Sequence, residues 1–352
     1  MRSPAVLLTV IGGLLALTAL TGPSGGGAVS AEPSPASASR ALTEPTGATL
    51  LLLRDGAAAR VEVDRRRVET VTIPGLPRGE PRSVVARRGT VVVQVGRGAY
   101  AVPRSLAGKA VALGPADAMI AGASDDRVWL VTYPAPSVSR AREVRVDGVE
   151  TAPGHETPPA IETAAVDVTG GAVILAAVDR GLVVATRPDV AGRRALEVHD
   201  PGDGRVVLSV TRDGILLAAR HDRVVWRAPG CRHCPVEMTD VRTGTRRGLR
   251  GAVAGGATVY AGSFSPGGRT LALFASSTDG AGVQVVLVDV ARDRVTSSEV
   301  GSTAPAAATV DWSSSGRWLF FATGDGLEAV RRDGAGRTLD IALPAISALV
   351  AG

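Results

Sequence analysis

The sequence predicts an all-β chain built from one four-strand unit repeated around a ring, and three observations carry that prediction. Short Val, Leu and Ile runs alternate with Gly, Asp-Gly, Arg-Gly or Asp-Arg turns, and no stretch shows the 3.6-residue apolar period of a helix. One turn series falls at Asp55-Gly56, Arg97-Gly98, around Ser139, Arg180-Gly181, Asp222-Arg223, Asp279-Gly280 and Asp325-Gly326. Its members are separated by about 41 to 46 residues, with one larger gap before Gly280, and four-stranded propeller blades repeat at about 40 to 45 residues. A second series, at Arg88-Gly89, Asp126, Gly171, Gly214, Gly268 and Gly316, precedes the first from its second member onward. Two interleaved series with one period imply a repeated strand-turn-strand-turn unit. Seven such units fit the length, so the expected architecture is a seven-bladed β-propeller.

The last two units are the best written. "FSPGGRTLALFASS" (Phe264 to Ser277) and "WSSSGRWLFFATG" (Trp312 to Gly324) share an aromatic, a Ser, a Gly-Arg and an apolar strand. "VTGGAVILAAV" and "VTRDGILLAAR" echo them more faintly. In these residues the chain resembles the WD40-like repeats of TolB-type β-propellers, although Gly267 stands where that family usually has Asp and no Trp-Asp dipeptide ends a blade. The resemblance implies architecture and carries no catalytic residue across. In the physical reading, the aromatic ends the first strand and plugs the space between blades, while Ser and Gly make the tight turn. Phe264, Trp312 and Trp129 are therefore expected to be packing residues.

Ring closure follows from counting strands. "ATLLLLRDG" runs into the Asp55-Gly56 turn, which belongs to the series that follows a second strand, so the first blade lacks its innermost strand. The final "AISALVAG" is short and apolar enough to supply it, with Ala345 to Val350 pairing with Leu50 to Leu53. An unclosed ring would leave an open strand edge and an apolar face in water.

The N-terminus places the chain in a compartment. Arg2, an uncharged apolar run from Ala5 to Leu20, a Gly/Pro break and small residues at Val29 and Ala31 have the anatomy of a secretory signal peptide. The run is short for a membrane span of about 20 residues. The expected domains are thus a signal peptide at 1–31, a Pro/Ser/Ala-rich flexible leader at 32–47 and the propeller at 48–352, with a secreted, monomeric and not membrane-spanning product. Aromatic residues make up 3% of the chain, so the core must come from Val, Leu, Ile and Ala. The formal net charge is +5, carried almost wholly by arginine with a single lysine, Lys109. An acidic partner is one reading of that charge. A solvated arginine surface is the preferred one, because the arginines form no long block and "DRRRVE" (Asp64 to Glu69) sits where a hairpin turn belongs; no nucleic-acid partner is expected.

"WRAPGCRHCPVEM" (Trp226 to Met238) holds the only two cysteines. "VEMTDVRTG" parallels "VVLVDVARD" as a third strand, and the larger gap before Gly280 is about a dozen residues over the period, so the cysteines are expected to fall in an insertion of the loop between second and third strands, on the face that usually carries ligands in propellers. Redox chemistry would want a helix N-terminus at the thiol, and a zinc site would want four ligands where only His233 and His221 are near. In an exported chain the simplest outcome is a Cys231–Cys234 disulfide. The loop it closes is short, so the staple orders the loop more than it stabilises the fold. His221, Arg232 and His233 are the candidate ligand-face residues, and no metal or cofactor is expected.

No catalytic constellation is evident. His155, His199, His221 and His233 lie outside any recognised motif, and Asp125-Asp126 lacks the alternating spacing of a calcium loop and reads as a turn. The reading is a secreted propeller that binds a protein or small molecule at one face. The alternative is an extracellular lyase or lactone hydrolase that gathers residues, such as His155 or His221, around the central opening.

Overall fold

A computed structural model describes residues 44–54, 57–87, 89–106, 108–146, 161–231, 234–249, 258–276, 283–292, 294–300, 309–323, 326–339 and 347–351. All its sheets are four-stranded and antiparallel, and there are seven of them. Blade 1 contains β1 (Thr49–Arg54), β2 (Ala57–Glu62) and β3 (Arg67–Thr72). Blade 2 contains β4 (Pro81–Arg87), β5 (Thr90–Val95), β6 (Gly98–Pro103) and β7 (Val111–Pro115). Blade 3 follows with β8 (Ala118–Ala121), β9 (Arg127–Ala135), β10 (Val138–Arg145) and β11 (Ile161–Thr169), and blade 4 with β12 (Val173–Val178), β13 (Gly181–Ala185), β14 (Leu196–His199) and β15 (Val206–Thr211). Blade 5 has β16 (Ile215–Arg220), β17 (Arg223–Arg227), β18 (Val236–Asp240) and β19 (Arg246–Leu249). Blade 6 has β20 (Val259–Phe264), β21 (Thr270–Ser276), β22 (Val283–Asp289) and β23 (Arg294–Val300). Blade 7 has β24 (Val310–Trp312), β25 (Trp318–Thr323), β26 (Gly326–Arg331) and β27 (Gly336–Leu339), and β28 (Ala348–Ala351) returns to the inner edge of blade 1. The inner strands β28, β4, β8, β12, β16, β20 and β24 touch in that order and close a ring.

Why the strands read as unbroken apolar runs is visible in the packing. Leu50 and Leu52 pack toward blade 7 with Trp318 and Phe320, whereas Leu51 and Leu53 pack toward blade 2 with Val91 and Val93. Successive side chains of a strand point to opposite faces, so a blade with neighbours on both sides must be apolar at every position. The described core residues accordingly fall into seven clusters, one at each junction between blades. The predicted plugs Phe264, Trp312 and Trp129 are buried in three of them. Trp312 also donates its indole N–H to the Ser263 carbonyl of blade 6 at 3.3 Å.

The two well-written units fold alike. In blade 6 the Gly268 N–H donates to the Ser265 carbonyl at 2.8 Å, and the Thr270 N–H donates to Ser265 Oγ at 3.1 Å. In blade 7 Gly316 and Trp318 make the same two bonds to Ser313 at 2.8 and 3.0 Å. Gly268 and Gly316 have φ of 65° and 64°, a left-handed conformation that explains the glycine.

Closure occurs as expected, with boundaries slightly shifted. β28 pairs antiparallel with β1, Leu50 opposite Ala351 and Leu53 opposite Ala348. The strand begins at Ala348 rather than Ala345; Ala345 and Ile346 lie outside the described residues. Upstream of β1, the last residues of the expected leader are docked. Thr46 and Gly47 donate backbone N–H groups to the Asp64 carboxylate at 2.8 and 2.7 Å, and Glu44 pairs with Arg317 and Arg331 of blade 7.

The strand offset assigned from the turn series holds in blades 2, 3, 6 and 7 and is corrected in blades 4 and 5. Gly171 and Gly214 do not separate first from second strands; they connect blade 3 to 4 and blade 4 to 5. Arg180-Gly181 and Asp222-Arg223 are the first turns of their blades, not the second. A fixed period cannot distinguish one turn from the next, and the "VT" before each glycine closes the outermost strand of the preceding blade. The larger gap before Gly280 is therefore mostly this one-strand slip. The cysteines nonetheless lie between β17 and β18, the second and third strands of blade 5, as inferred.

Two outcomes test this architecture. Deleting residues 345–352 removes four core residues, Ala348 to Ala351, each at most 2% exposed, leaves the inner edge of β1 unpaired and weakens two blade junctions. It is expected to abolish most soluble expression, whereas deleting 32–40 leaves yield and melting temperature unchanged. At Gly181, with φ 153°, an added Cβ would lie 2.1 Å from the His199 carbonyl oxygen. Gly181→Ala is expected to cost more than about 2 kcal/mol in chemical denaturation.

Candidate functional site at one mouth of the central channel

Because each blade is an antiparallel meander, the turns from first to second strand all lie on one face of the ring, and those from second to third strand lie on the other. Inner-strand residues Ser83 to Ala86 of β4, Leu175 and Ala176 of β12, and Tyr260 to Ser263 of β20 are only half-buried although they lie at the axis. They line a central channel. On the first-turn face its mouth is ringed by charge: Arg87 ends β4, Asp125 and Asp126 occupy the β8–β9 turn, Arg220 ends β16, and Asp311 lies on β24.

Arg87 is buried, and three of its bonds go to carbonyls: Nε to Arg127 at 2.7 Å, Nη1 to Ala86 at 2.9 Å and Nη2 to Gly122 at 3.3 Å. It thereby grips both ends of the Gly122–Arg127 turn of blade 3. Burial, and then Arg220, pull its pKa down to about 10 against the opposing influence of Asp125, Asp311 and Asp126. Arg220 reaches the same turn from blade 5: its Nε donates to the Pro266 carbonyl at 3.0 Å, and Nη2 stands 3.7 Å from Asp125 Oδ1. The Asp125 side chain is 73% exposed. Asp126 faces Arg127 and Arg145 at 3.9 and 3.6 Å; its pKa is lowered, first by a side-chain hydrogen bond with Ser124.

Asp311 joins the mouth to the ring closure. Its Oδ2 accepts the Ala351 N–H at 3.0 Å and its Oδ1 the Trp312 N–H at 2.9 Å. Arg104 of blade 2 donates to the Ala351 carbonyl. The last described residue of β28 is thus held from blade 7 on one side and blade 2 on the other. Protein surrounds the Asp311 carboxyl closely, and burial raises its pKa to about 6, outweighing the two N–H donors and the Arg104 and Arg220 charges.

Among the described residues singled out from the sequence, the fold separates His221 and the Asp125–Asp126 turn from the cysteine pair. Asp125 and Asp126 do form a turn. His221, with φ 52°, lies in the β16–β17 turn on the mouth face, with Nδ1 3.7 Å from Asp179 Oδ1. The cysteine loop lies on the opposite face, so His221 is not part of it. Cys231 and Cys234 are at disulfide distance, with Cα atoms 5.4 Å apart. Arg232, His233 and His155 lie outside the described residues. His199 is buried in β14 between the Gly204 carbonyl at 2.8 Å and the Glu197 carboxylate at 3.0 Å, a packing position in blade 4. Among the described residues, no group of three or more His, Cys, Asp and Glu side chains is placed to hold a metal ion.

No protein-family model matches the chain, and no curated protein matches its sequence. Solved structures do. The β-propeller domain of the Trilobed protease from Pyrococcus furiosus, described as having an open velcro topology, aligns over 84% of this chain and 95% of that one, with TM-score 0.56 and 10% identity. A functionally unknown protein from Desulfotomaculum acetoxidans aligns over 85% and 96%, with TM-score 0.55 and 12% identity. TolB from Acinetobacter baumannii aligns over 82% and 77%, with TM-score 0.47 and 13% identity. The chain is a seven-bladed β-propeller, and its likeness to these solved structures is one of fold. The open velcro described for the Pyrococcus domain contrasts with the β28–β1 closure found here.

The raised pKa of Asp311 sets a pH dependence. Between about 3.8 and about 6 the folded chain holds a proton that the unfolded chain has lost, so this group favours folding toward acid and loses that contribution as pH rises through about 6. Relative to Asp311→Asn, the wild type is expected to gain thermal stability as pH falls from 7 to 4, measured by paired melting curves. A constant offset between the two would refute the assignment.

Proposed function

We propose that this chain is an exported β-propeller binding module that engages its ligand non-covalently at the charged mouth of the channel. The carrying observation is the convergence of Arg87, Asp125, Arg220 and Asp311 from four different blades onto one opening. Residues far apart in sequence are brought to a low-dielectric rim where fields are focused. The charged side chains gathered there are suited to gripping charged groups. Support for export comes from the signal-peptide anatomy of residues 1–31 and from the Cys231–Cys234 pair at disulfide distance. Among the described residues no helix is long and apolar enough to cross a membrane.

Two measurements test the reading. N-terminal sequencing of material from the culture fluid or cell envelope is expected to begin at or near Glu32; an intact Met1 would count against export. Native mass spectrometry of the protein recovered from its own host is expected to show a bound mass that Arg220→Ala together with Asp311→Ala removes and Arg140→Ala retains. Arg140 is paired with Asp167 on the outer strands of blade 3 and serves as a control.

A further inference from the structure

The Arg220 guanidinium is built into the mouth but left with unused donors. Its Nε is tied to the Pro266 carbonyl at 3.0 Å, which fixes the plane of the group. Its side chain is 28% exposed, and its closest acid, Asp125, is 3.7 Å from Nη2, too far for a hydrogen bond and largely in water. The Nη edge of an anchored arginine presents a fork of N–H donors matched to the two oxygens of a carboxylate or phosphate. A second observation points the same way. Arg87 is buried against the same Gly122–Arg127 turn, and all its described bonds go to neutral carbonyls, so it brings positive charge to the site without an acid in direct contact.

We propose that the mouth of the channel binds an oxyanion, a carboxylate or a phosphate group, on the free Nη edge of Arg220, with Asp125 swinging aside as the weak internal partner it replaces. Asp125 is free to do so, because it sits on an exposed turn and among the described residues no other ion pair holds it. Arg87 acts at a distance by lowering the cost of bringing the anion to the rim. Asp311 opposes the anion and is committed to the Ala351 and Trp312 N–H groups. The proposal rests on the mouth being the binding site and adds the ligand's charge and chemical class.

The test is calorimetric titration of the purified chain with inorganic phosphate, succinate and, as a cationic probe, spermidine, at constant ionic strength set with chloride. Saturable binding of phosphate, succinate or both is expected, and comparison of the two separates a phosphate-type from a carboxylate-type ligand. Loss of a charge-assisted pair of about 1.5–3 kcal/mol predicts that Arg220→Gln weakens binding by about tenfold or more. Arg220→Lys should retain part of the affinity, and Asp125→Asn should strengthen it by removing the competing carboxylate. Melting curves without probe verify that each variant is folded, and Arg220→Lys serves where Arg220→Gln is not. Anion binding that Asp125→Asn weakens, or that Arg220→Gln leaves unchanged, overturns the proposal. Spermidine binding lost in Asp125→Asn, with no anion binding, overturns it while leaving the binding-module reading intact. No response to any probe, with no host-derived adduct in native mass spectrometry, removes both.

Discussion

The pairing of β28 with β1 is the constraint on which the remaining structure depends. Each blade is apolar on both faces, and burying an aliphatic side chain is worth roughly 1.5–3 kcal/mol relative to leaving it in water. That gain is realised only if every blade has two neighbours. In an open arc, blades 1 and 7 would each leave one face wet, and those are the faces that carry Leu50, Leu52, Trp318 and Phe320. β28 contributes Leu349 and Ala351 to that junction and Ala348 and Val350 to the next one, so four residues complete two interfaces.

The functional rim is tied to this closure. Asp311 accepts the Ala351 N–H and, at the same time, lies in the field of Arg87 and Arg220. Glu44 adds a second tie across the same seam by pairing with Arg317 and Arg331. The rim is rigid because it consists of strand ends and short turns, and side chains on rigid elements are held more exactly than side chains on long loops. The cysteine pair lies on the other face, between β17 and β18 of blade 5.

The fold was legible because it is written in residues with one physical meaning each. Gly268 and Gly316 stand at left-handed positions, the aromatics before them plug blade junctions, and the Leu50–Leu53 run is apolar throughout because both its faces are covered. The strand offset in blades 4 and 5 was not legible, since a short apolar strand followed by a glycine turn reads alike whether it is the outermost strand of one blade or the innermost strand of the next. The rim was hidden for another reason: Arg87, Asp125, Arg220 and Asp311 are far apart in the chain, and each looks like an ordinary charge at a strand end or turn. One signal was present. "SVVAR" at Ser83–Arg87 and "LLAAR" at Leu216–Arg220 both close a first strand with Ala-Arg, and a repeat alignment by strand would have set the two arginines on the same face.

A ring sealed by its own two ends also has a kinetic character. Leu50 opposite Ala351 is a contact between residues at the two extremes of the domain, and contacts of such sequence separation are slow to form because the loop entropy precedes the reward. The hairpins within blades 2 to 7 are local and can form early, but blade 1 must wait for the final strand. Until then the Leu50–Leu53 strand lacks its inner partner, and the growing chain carries an unpaired apolar edge. The edge stays open until the final strand arrives, and that is the interval in which chaperones that shield it would be of most use.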